Sequence, residues 1–436
     1  MNVAIVGSGI SGLAVAHRLR GKADISLFEA GHYFGGHTHT VDLTLDGAHG
    51  LPKPMTYGVD TGFLVFNERT YPKLISFFAE LGVATAHSDM SFSVQVPGER
   101  GAKPLEWSGS SLNTVFAQRG NLVNPRFLRM LSDLLRFNRL ATDIAVRGAE
   151  AELLQPLAEF LRQHNLGDSF RDWYLLPMLG CIWSCPTNQM LEFPVATMVR
   201  FCHNHGLLQV TDRPQWWTVV GGARNYVEKI VQGIADKRLG SPVDRITRDA
   251  SGVVITSKGQ TERFDKVVLA CHSDQSLALL ADATAQERAA LGAIRYQANR
   301  AVLHTDTSVL PRARRAWAAW NYERAPAQSE STRVCLHYLL NMLQPLPFEK
   351  PVVVSLNPIS EIDPGQVHGS FDYAHPVFDD EAIRAQSQVP ALQGLQHTYF
   401  CGAWTGYGFH EDGLKSGLDV AARLHSAMGS TPAPHP

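Results

Sequence analysis

A glycine-rich turn close to the start of the chain restricts the fold more than any other feature. Residues 3–6 are apolar and run directly into the motif GSGISG, which is followed by a helical segment and a second apolar segment at residues 25–28. This order of strand, glycine turn, helix and strand predicts a βαβ unit. Glycine permits a pyrophosphate to approach the backbone, and the helix N-terminus attracts phosphate. The turn therefore predicts a dinucleotide site that contains Gly7, Gly9, Ile10, Ser11 and Gly12. Glu29, at the end of the second strand, can accept hydrogen bonds from ribose hydroxyls.

The charge balance argues against a nucleic-acid binder. The chain has 39 Lys and Arg against 41 Asp and Glu, for a net charge of −2, whereas nucleic-acid binding depends on a basic excess. No apolar run is long enough to span a bilayer. The chain opens on a strand instead of a secretion signal. We therefore expect a cytoplasmic protein, and its 436 residues favour two intertwined domains.

The cysteines do not suggest disulfides or a metal centre. Cys181, Cys185 and Cys202 lie near His203 and His205 in the sequence, but their spacing lacks the paired form of zinc ligands. We interpret them as small buried thiols and predict no metal site.

The segment after Glu29 indicates which dinucleotide is bound. It contains Ala30, the glycine pair Gly35 and Gly36, and then His37 and Thr38. This segment resembles the extended FAD signature of the superfamily of monoamine oxidase, phytoene desaturase and protoporphyrinogen oxidase. The resemblance implies FAD, with the glycine pair along the pyrophosphate. Arginines usually flank that pair, and in this chain Tyr33 and His37 take their places.

Further stretches of the same resemblance lie farther along the chain. Residues 398–402 read as a strand, and residues 408–417, GFHEDGLKSG, precede a helix. In the superfamily the N-terminus of this helix points at the flavin edge that becomes negative on reduction, which a helix dipole favours. The resemblance implies cofactor contacts by Gly62, Phe63, Val243, Gly402, Ala403, Gly408, His410 and Gly413, with the backbone of Val243 touching the adenine.

These stretches imply an α/β fold with a Rossmann-like FAD domain of the monoamine oxidase type and an inserted mixed α+β substrate domain. The expected FAD domain is discontinuous and comprises residues 1–86, 213–290 and 395–428. The substrate domain comprises residues 87–212 and 291–394, and residues 429–436 form a disordered tail.

Longer segments narrow the resemblance to one bacterial group within the superfamily. They include residues 59–72, VDTGFLVFNERTYP, and residues 215–222, QWWTVVGG. One branch of this group resembles the flavin desaturase of furan fatty acid synthesis. The resemblance implies desaturation of a methylated fatty-acyl chain of a lipid by hydride transfer to flavin N5. Because there is only one dinucleotide motif, we expect oxygen or a quinone as the electron acceptor. An amine oxidase acting on a small amine and a non-catalytic flavin-binding partner protein remain alternatives.

Candidate catalytic residues follow from the C-terminal motif. His410 can accept a proton or only brace the helix, while Glu411 either takes part in the chemistry or caps a helix with Asp412. Amine oxidases carry a lysine that would fall near residues 299–300, where this chain has none, and one position of their tyrosine pair matches Phe409. Tyr373 can supply the other wall.

An acyl substrate requires an apolar tunnel, for which we name Phe63, Leu64, Phe66, Trp404 and Phe409. Residues 125–136 predict an amphipathic helix. One face carries Arg126, Arg129 and Arg136 with Asp133, and the other carries Phe127, Met130, Leu131 and Leu134. Such a helix suits a bundle with a solvated basic face or an anionic membrane surface, so a location peripheral to the inner membrane stays open.

Overall fold

The computed structural model describes residues 1–98, 103–148, 155–183, 190–192, 194–209, 213–325 and 334–429. The strands are β1 (Asn2–Val6), β2 (Asp24–Phe28), β3 (Thr40–Leu45), β4 (Met55–Asp60), β5 (Phe66–Asn67), β6 (Thr85–Ser88), β7 (Phe92–Val96), β8 (Leu105–Ser108), β9 (Trp216–Val219), β10 (Asp236–Arg238), β11 (Val243–Asp249), β12 (Gly252–Ser257), β13 (Gln260–Phe264), β14 (Lys266–Leu269), β15 (Arg295–His304), β16 (Trp320–Glu323), β17 (Cys335–Leu339), β18 (Val353–Leu356), β19 (Val367–Val377) and β20 (Thr398–Phe400).

The α-helices are α1 (Ile10–Leu19), α2 (Pro72–Leu81), α3 (Leu112–Val115), α4 (Pro125–Arg147), α5 (Leu157–Gln163), α6 (Asp168–Phe170), α7 (Leu176–Trp183), α8 (Val195–Asn204), α9 (Arg224–Val231), α10 (Ser273–Leu279), α11 (Ala285–Gly292), α12 (Leu340–Leu343), α13 (Asp380–Gln386), α14 (Val389–Leu392) and α15 (His410–Gly429).

A five-stranded parallel sheet forms the nucleotide-binding core, in the order β10-β2-β1-β14-β20. Its central strand β1 is apolar and almost completely buried, as expected for a parallel strand that is covered on both faces. The carboxyl ends of β1, β2, β14 and β20 therefore lie at one edge, where α/β sheets bind ligands. The predicted α/β fold class is confirmed.

Small residues bring two helices into close contact above this sheet. A Cβ on Gly417 of α15 would lie 2.3 Å from the carbonyl oxygen of Ser11, and one on Gly413 would lie 2.8 Å from Ile10 Cγ2. Glycine at these positions lets α15 pack directly on α1. This packing holds the N-terminus of α15 beside the glycine turn.

The largest sheet has seven strands of mixed orientation, in the order β19-β15-β18-β17-β16-β7-β8. Its strands come from residues 92–108 and 295–377, whereas the parallel sheet draws on residues 2–28, 236–269 and 398–400. The domain boundaries themselves stay a prediction. Of the expected tail, only Gly429 belongs to the described residues, and it ends α15.

Helix α4 is longer than expected and differs from the prediction at one residue. Phe127 and Met130 are buried, as the amphipathic pattern indicated. Asp133, which we placed on the basic face, is also buried; its carboxylate accepts a hydrogen bond from the Gly167 amide and pairs with Arg136. No helix in the described part of the chain is long and apolar enough to cross a membrane.

Candidate active site

A cavity of about 800 Å³ begins at the glycine turn and extends to the seven-stranded sheet. At the nucleotide end it is lined by the turn, by Glu29 and by the start of β11; at the far end it is lined by β15, β16, β17 and β18. The cavity therefore joins the carboxyl edge of the parallel sheet to the substrate side.

The surroundings of the glycines fit a nucleotide at this end. A Cβ on Gly9 would meet no protein atom within 4 Å, so the space above it is free for a ligand. A Cβ on Gly12 would lie only 2.0 Å from the carbonyl oxygen of Gly7, so Gly12 serves the packing of the turn. Gly7 has a positive φ of 100°, which glycine adopts most readily. The turn thus presents bare backbone to the cavity, as the pyrophosphate of FAD requires.

Glu29 is held in place by the turn itself. Its carboxylate accepts hydrogen bonds from the amide of Ser8 at 3.0 Å and from the amide of Gly31 at 2.8 Å. These bonds orient the acid at the end of β2, where a ribose would lie.

Most of the predicted cofactor residues line this cavity. They are Gly7, Gly9, Ile10, Ser11, Glu29, Ala30, Gly35, Gly36, His37, Gly62, Phe63, Val243, Gly402, Ala403, Gly408 and His410. Gly12, Thr38 and Gly413 do not line it. The two glycines allow close packing, and the hydroxyl of Thr38 hydrogen-bonds to Tyr226 and His410.

His410 begins α15 and lies in the cavity wall, tethered by hydroxyl groups. Its Nε2 lies 2.8 Å from the hydroxyl of Tyr226 and 3.2 Å from that of Thr38, and its ring stacks on Phe63 at 3.8 Å. Burial lowers the pKa of His410 to about 3. The imidazole is therefore neutral at physiological pH, and its Nε2 already has partners, so the geometry favours a positioning role.

Glu411 does not line the cavity. Its two carboxylate oxygens accept hydrogen bonds from the backbone amides of Lys73 and Leu74, each at 2.9 Å, at the N-terminus of α2. An acid there satisfies otherwise unpaired amides and complements the helix dipole. Of the two interpretations of Glu411, this geometry favours capping over a part in the chemistry, although the capped helix is α2 instead of its own. Asp412 accepts from the amides of Tyr407 and Phe409 in the turn before α15.

Phe409 and Tyr373 both line the cavity, as proposed. Phe409 stacks on Phe201 with ring centroids 5.2 Å apart. The hydroxyl of Tyr373 lies 2.8 Å from that of Thr61 and 3.0 Å from Nδ1 of His39. Because Tyr373 is bound in this way, it forms a fixed wall of the cavity.

A histidine cluster in the same wall contains His37, which we predicted as a cofactor residue, and His272 and His375, which the sequence reasoning missed. The ring of His37 lies 5.9 Å from that of His272 and 5.5 Å from that of His375, and all three line the cavity. Burial lowers the pKa of His37 to about 3 and that of His375 to about 4, so both rings are neutral. Nε2 of His37 is buried without a hydrogen-bond partner in the described structure. A neutral nitrogen left unpaired at this point suits a polar ligand atom, and His37 stands where the superfamily has an arginine.

The far half of the cavity is apolar. Its walls include Met178, Ile182, Leu207, Trp320, Val354 and Leu356. Phe63, Leu64, Trp404 and Phe409 line the cavity as expected, but Phe66 does not: it is buried in the core against Phe78. Glu29 is the one acidic residue among the described residues that line the cavity, and it lies at the nucleotide end.

Comparisons with known proteins agree with this geometry. Residues 10–334 match the family of flavin containing amine oxidoreductases. No curated protein matches the chain. Among solved structures, a CLA-producing fatty acid isomerase from P. acnes has a TM-score of 0.64 at 16% identity, over 97% of this chain and 98% of its own. A redesigned putrescine oxidase has a TM-score of 0.68 at 16% identity, over 98% and 99%. Cyclohexylamine oxidase from Brevibacterium oxydans has a TM-score of 0.65 at 17% identity, over 98% and 99%.

Proposed function

This chain belongs to the flavin containing amine oxidoreductases and is an FAD-dependent oxidoreductase, and we propose that it desaturates a fatty-acyl chain of a lipid, such as a methylated one. The observation that carries this proposal is the apolar far half of the cavity, continuous with the nucleotide end. An acyl chain offers few polar groups, so it must be bound through buried area, at about 0.8 kcal/mol per CH₂.

The charge of the cavity supports an uncharged substrate segment over a polyamine. Among the described lining residues no carboxylate lies in the far half, and the histidines His37 and His375 are neutral. A diamine inserted there would lose its hydration without an ion-pair partner, which is costly. The fatty acid isomerase with the same fold has a lipid substrate, which agrees with this assignment.

Gly7, Gly9 and Glu29 would hold FAD, which would supply the two-electron oxidant at N5. The acyl chain would lose one hydrogen as a hydride and the second as a proton that leaves to solvent, and oxygen or a quinone would then reoxidise the flavin. The protein's own groups orient the chain and exclude water. The stacked pair of Phe63 and His410 forms one wall, and Tyr373, fixed through Thr61, forms another. Both walls are braced by hydrogen bonds, so they can hold a reacting C–H bond in one orientation.

Helix α4 supports access to the lipid at a membrane surface. Leu128, Leu135 and Val146 are exposed and, at spacings of 7 and 11 residues, lie on one face of the helix. The guanidinium groups of Arg129 and Arg136 are also exposed. An exposed face that carries both apolar and cationic side chains fits an anionic lipid surface. We therefore propose that the protein is peripheral to the cytoplasmic face of a membrane.

One observation favours a second candidate, oxidation of a small amine. Trp320 and Tyr338 meet edge to face in the cavity, with ring centroids 4.9 Å apart. Aromatic faces attract cations, and the putrescine and cyclohexylamine oxidases share the fold.

Anaerobic flavin reduction separates the two candidates. The flavin-loaded protein is mixed with vesicles of methylated phospholipid, with free fatty acids, and with putrescine and cyclohexylamine, and the flavin absorbance is followed. We expect bleaching by an acyl substrate, with a product that lacks two hydrogens. Rapid bleaching by an amine but by no lipid would reject the lipid assignment.

A pair of variants on one strand tests whether the chain occupies the far half. Ala301 is buried and lines the cavity, whereas Ala298, three residues earlier on β15, is exposed. Ala301→Leu should therefore shift the preferred acyl length downwards, and Ala298→Leu should leave it unchanged. Equal profiles for both variants would place the substrate elsewhere.

A further inference from the structure

Three side chains of the types that commonly bind metals lie on the face of the seven-stranded sheet that points away from the cavity. Cys335 and His337 alternate on β17, so both point to the same face, and Glu323 on β16 is the register partner of Cys335. The neighbouring positions Trp320 and Tyr338 point to the opposite face and line the cavity. The group is therefore separate from the flavin site.

The three donor atoms are arranged at the spacing of ligands around one ion. His337 Nε2 lies 3.0 Å from Glu323 Oε2 and 3.5 Å from Cys335 Sγ, and Cys335 Sγ lies 3.7 Å from Glu323 Oε2. With the usual Zn–S, Zn–N and Zn–O distances, tetrahedral zinc separates such donors by about 3.3 Å (N to O), about 3.6 Å (N to S) and about 3.5 Å (S to O). Shifts of a few tenths of an ångström would thus convert the cluster into a coordination site.

The other nitrogen of His337 has the support that metal-bound histidines need. Nδ1 of His337 lies 2.7 Å from Oγ of Ser355, which lies 2.7 Å from Nε2 of His304 on the next strand. With Nε2 bound to a metal, Nδ1–H can donate to Ser355 Oγ and keep the ring in orientation. Cys335 and His337 are buried, but the Glu323 side chain is 22% exposed. An ion can therefore reach the donors from the solvent side of Glu323, and solvent water can supply the fourth ligand.

We propose that Glu323, Cys335 and His337 bind one zinc ion, which joins β16 to β17. Binding displaces the thiol proton of Cys335 to solvent, and the metal takes the lone pair of His337 Nε2. The ion would stiffen the two strands whose opposite face carries Trp320 and Tyr338. This site differs from the Cys181, Cys185, Cys202 grouping, which we rejected on spacing, and the proposal departs from our expectation of no metal site.

The experiment uses the untagged, flavin-loaded full-length protein, stripped with a chelator and returned to Zn²⁺ or Co²⁺. We expect one metal per chain after gel filtration, a higher unfolding temperature with Zn²⁺, and thiolate-to-cobalt charge-transfer absorption with Co²⁺. Cys335→Ser should abolish the charge-transfer band and weaken binding at least about a hundredfold. The matched control Cys202→Ser, at another buried thiol, should retain both.

Two further variants keep the test decisive if Cys335→Ser folds poorly. Glu323→Gln changes the partly exposed ligand and should weaken binding, while Ser355→Ala should weaken it by about tenfold through the supporting hydrogen bond. Flavin content and circular dichroism identify variants that have kept the fold. Absence of stoichiometric metal in the wild type, or the same affinity in Cys335→Ser and Glu323→Gln, would overturn the proposal.

Discussion

Gly9 and Gly12 stand three residues apart in the same turn but have opposite surroundings. The space next to Gly9 is free of protein atoms, while that next to Gly12 is filled by the Gly7 carbonyl. Gly9→Leu should therefore fold and lose FAD, because the side chain would fill the space needed by the pyrophosphate. Flavin absorbance of the purified variant checks this. Gly120→Leu is the control, since Gly120 also has no neighbour within 4 Å but lies outside the cavity. Full flavin content in Gly9→Leu would show that the nucleotide binds elsewhere.

The environment of His410 predicts the form of its pH dependence. A base works best with a pKa near the working pH, whereas the pKa of His410 is lowered to about 3 by burial. We expect the anaerobic rate of flavin reduction to show no inflection from this histidine between about pH 5 and 8. His410→Ala should lower that rate about tenfold, because Phe63 loses the ring stacked on it and the cavity wall is no longer held in place. This loss is smaller than the 10²–10⁴-fold typical of a lost acid–base group.

The measurement is a pH profile of flavin reduction for the wild type, His410→Ala and Thr38→Val. Thr38→Val removes one of the two hydroxyls that tether the ring and should reproduce part of the loss without a change in profile. An inflection near neutral pH in the wild type that disappears in His410→Ala would instead assign His410 as the base.

Some residues of the site could be predicted from the sequence, and others could not. The glycine turn and Glu29 are contiguous with their strand and helix, so their positions follow from local pattern. His37, His272 and His375 come from three distant segments and meet only in the folded cavity. The alternation of Tyr373 and His375 on one strand was the available signal, because residues two apart in a strand share a face.

At the scale of elements, the exposed apolar side chains of α4 form a surface whose binding to lipid can be tested. This surface continues into the preceding turn at Val123, which is 83% exposed. We predict that the protein binds vesicles containing anionic lipid, that salt weakens the binding, and that vesicles of zwitterionic lipid bind less. Val123→Asp with Leu135→Asp should abolish binding in a sedimentation assay, because the apolar contact is lost and two new carboxylates are repelled by the anionic lipid.

The control for the α4 variant is Leu395→Asp, a single change of the same type at an exposed leucine far along the chain. The arginines are poor test positions, because Arg129 and Arg136 pair with the buried Asp133 and their loss would destabilise the helix. Vesicle binding that survives Val123→Asp with Leu135→Asp would mean that α4 is only a solvated bundle helix.

Element prediction succeeded for α4 and failed for one of its residues, for a physical reason. The 3.6-residue period places Phe127 and Met130 inward. The same period cannot show that the Gly167 amide would lie against Asp133 and draw it into the interior. For Glu411 the competing capping interpretation applied, but the capped helix α2 lies 337 residues away in the chain, beyond any local rule.

For the whole molecule, the parallel sheet could be predicted because its central strand and one of its edge strands are followed by recognisable segments. The central strand β1 leads into the glycine turn, and the edge strand β20 ends two residues before Gly402 and the motif of α15. The seven-stranded sheet has no such markers. Its parallel pairing of β7 with β16 joins residues more than 200 positions apart, and pairing at that separation is set by tertiary packing instead of local sequence.

The neutral histidines make the stability of the whole molecule depend on pH. A buried histidine whose folded pKa is about 3 binds a proton in the unfolded chain near its ordinary value, about 6.5, but not in the folded chain. The unfolded state then holds more protons below that pH, so the free energy of unfolding decreases as pH falls from about 6.5 towards about 3. Within this window, each such histidine lowers the free energy of unfolding by at most about 1.4 kcal/mol for each pH unit of acidification.

Buried carboxyl groups change the free energy of unfolding with pH in the opposite direction. The prediction is therefore made for the effect of a single histidine. Burial raises the pKa of Asp60 to about 7 and that of Asp412 to about 6, and both take up protons in the folded state over part of the same window.

We therefore compare wild type with His37→Asn in urea unfolding at pH 7.5 and pH 5, at fixed flavin concentration. Because Asn does not titrate, the variant should lose less free energy of unfolding between the two pH values, by up to about 2 kcal/mol. His49→Asn, at an exposed histidine, should lose as much as the wild type. Identical losses in all three proteins would mean that His37 is protonated in the folded chain, and that its ring therefore carries charge beside the glycine pair.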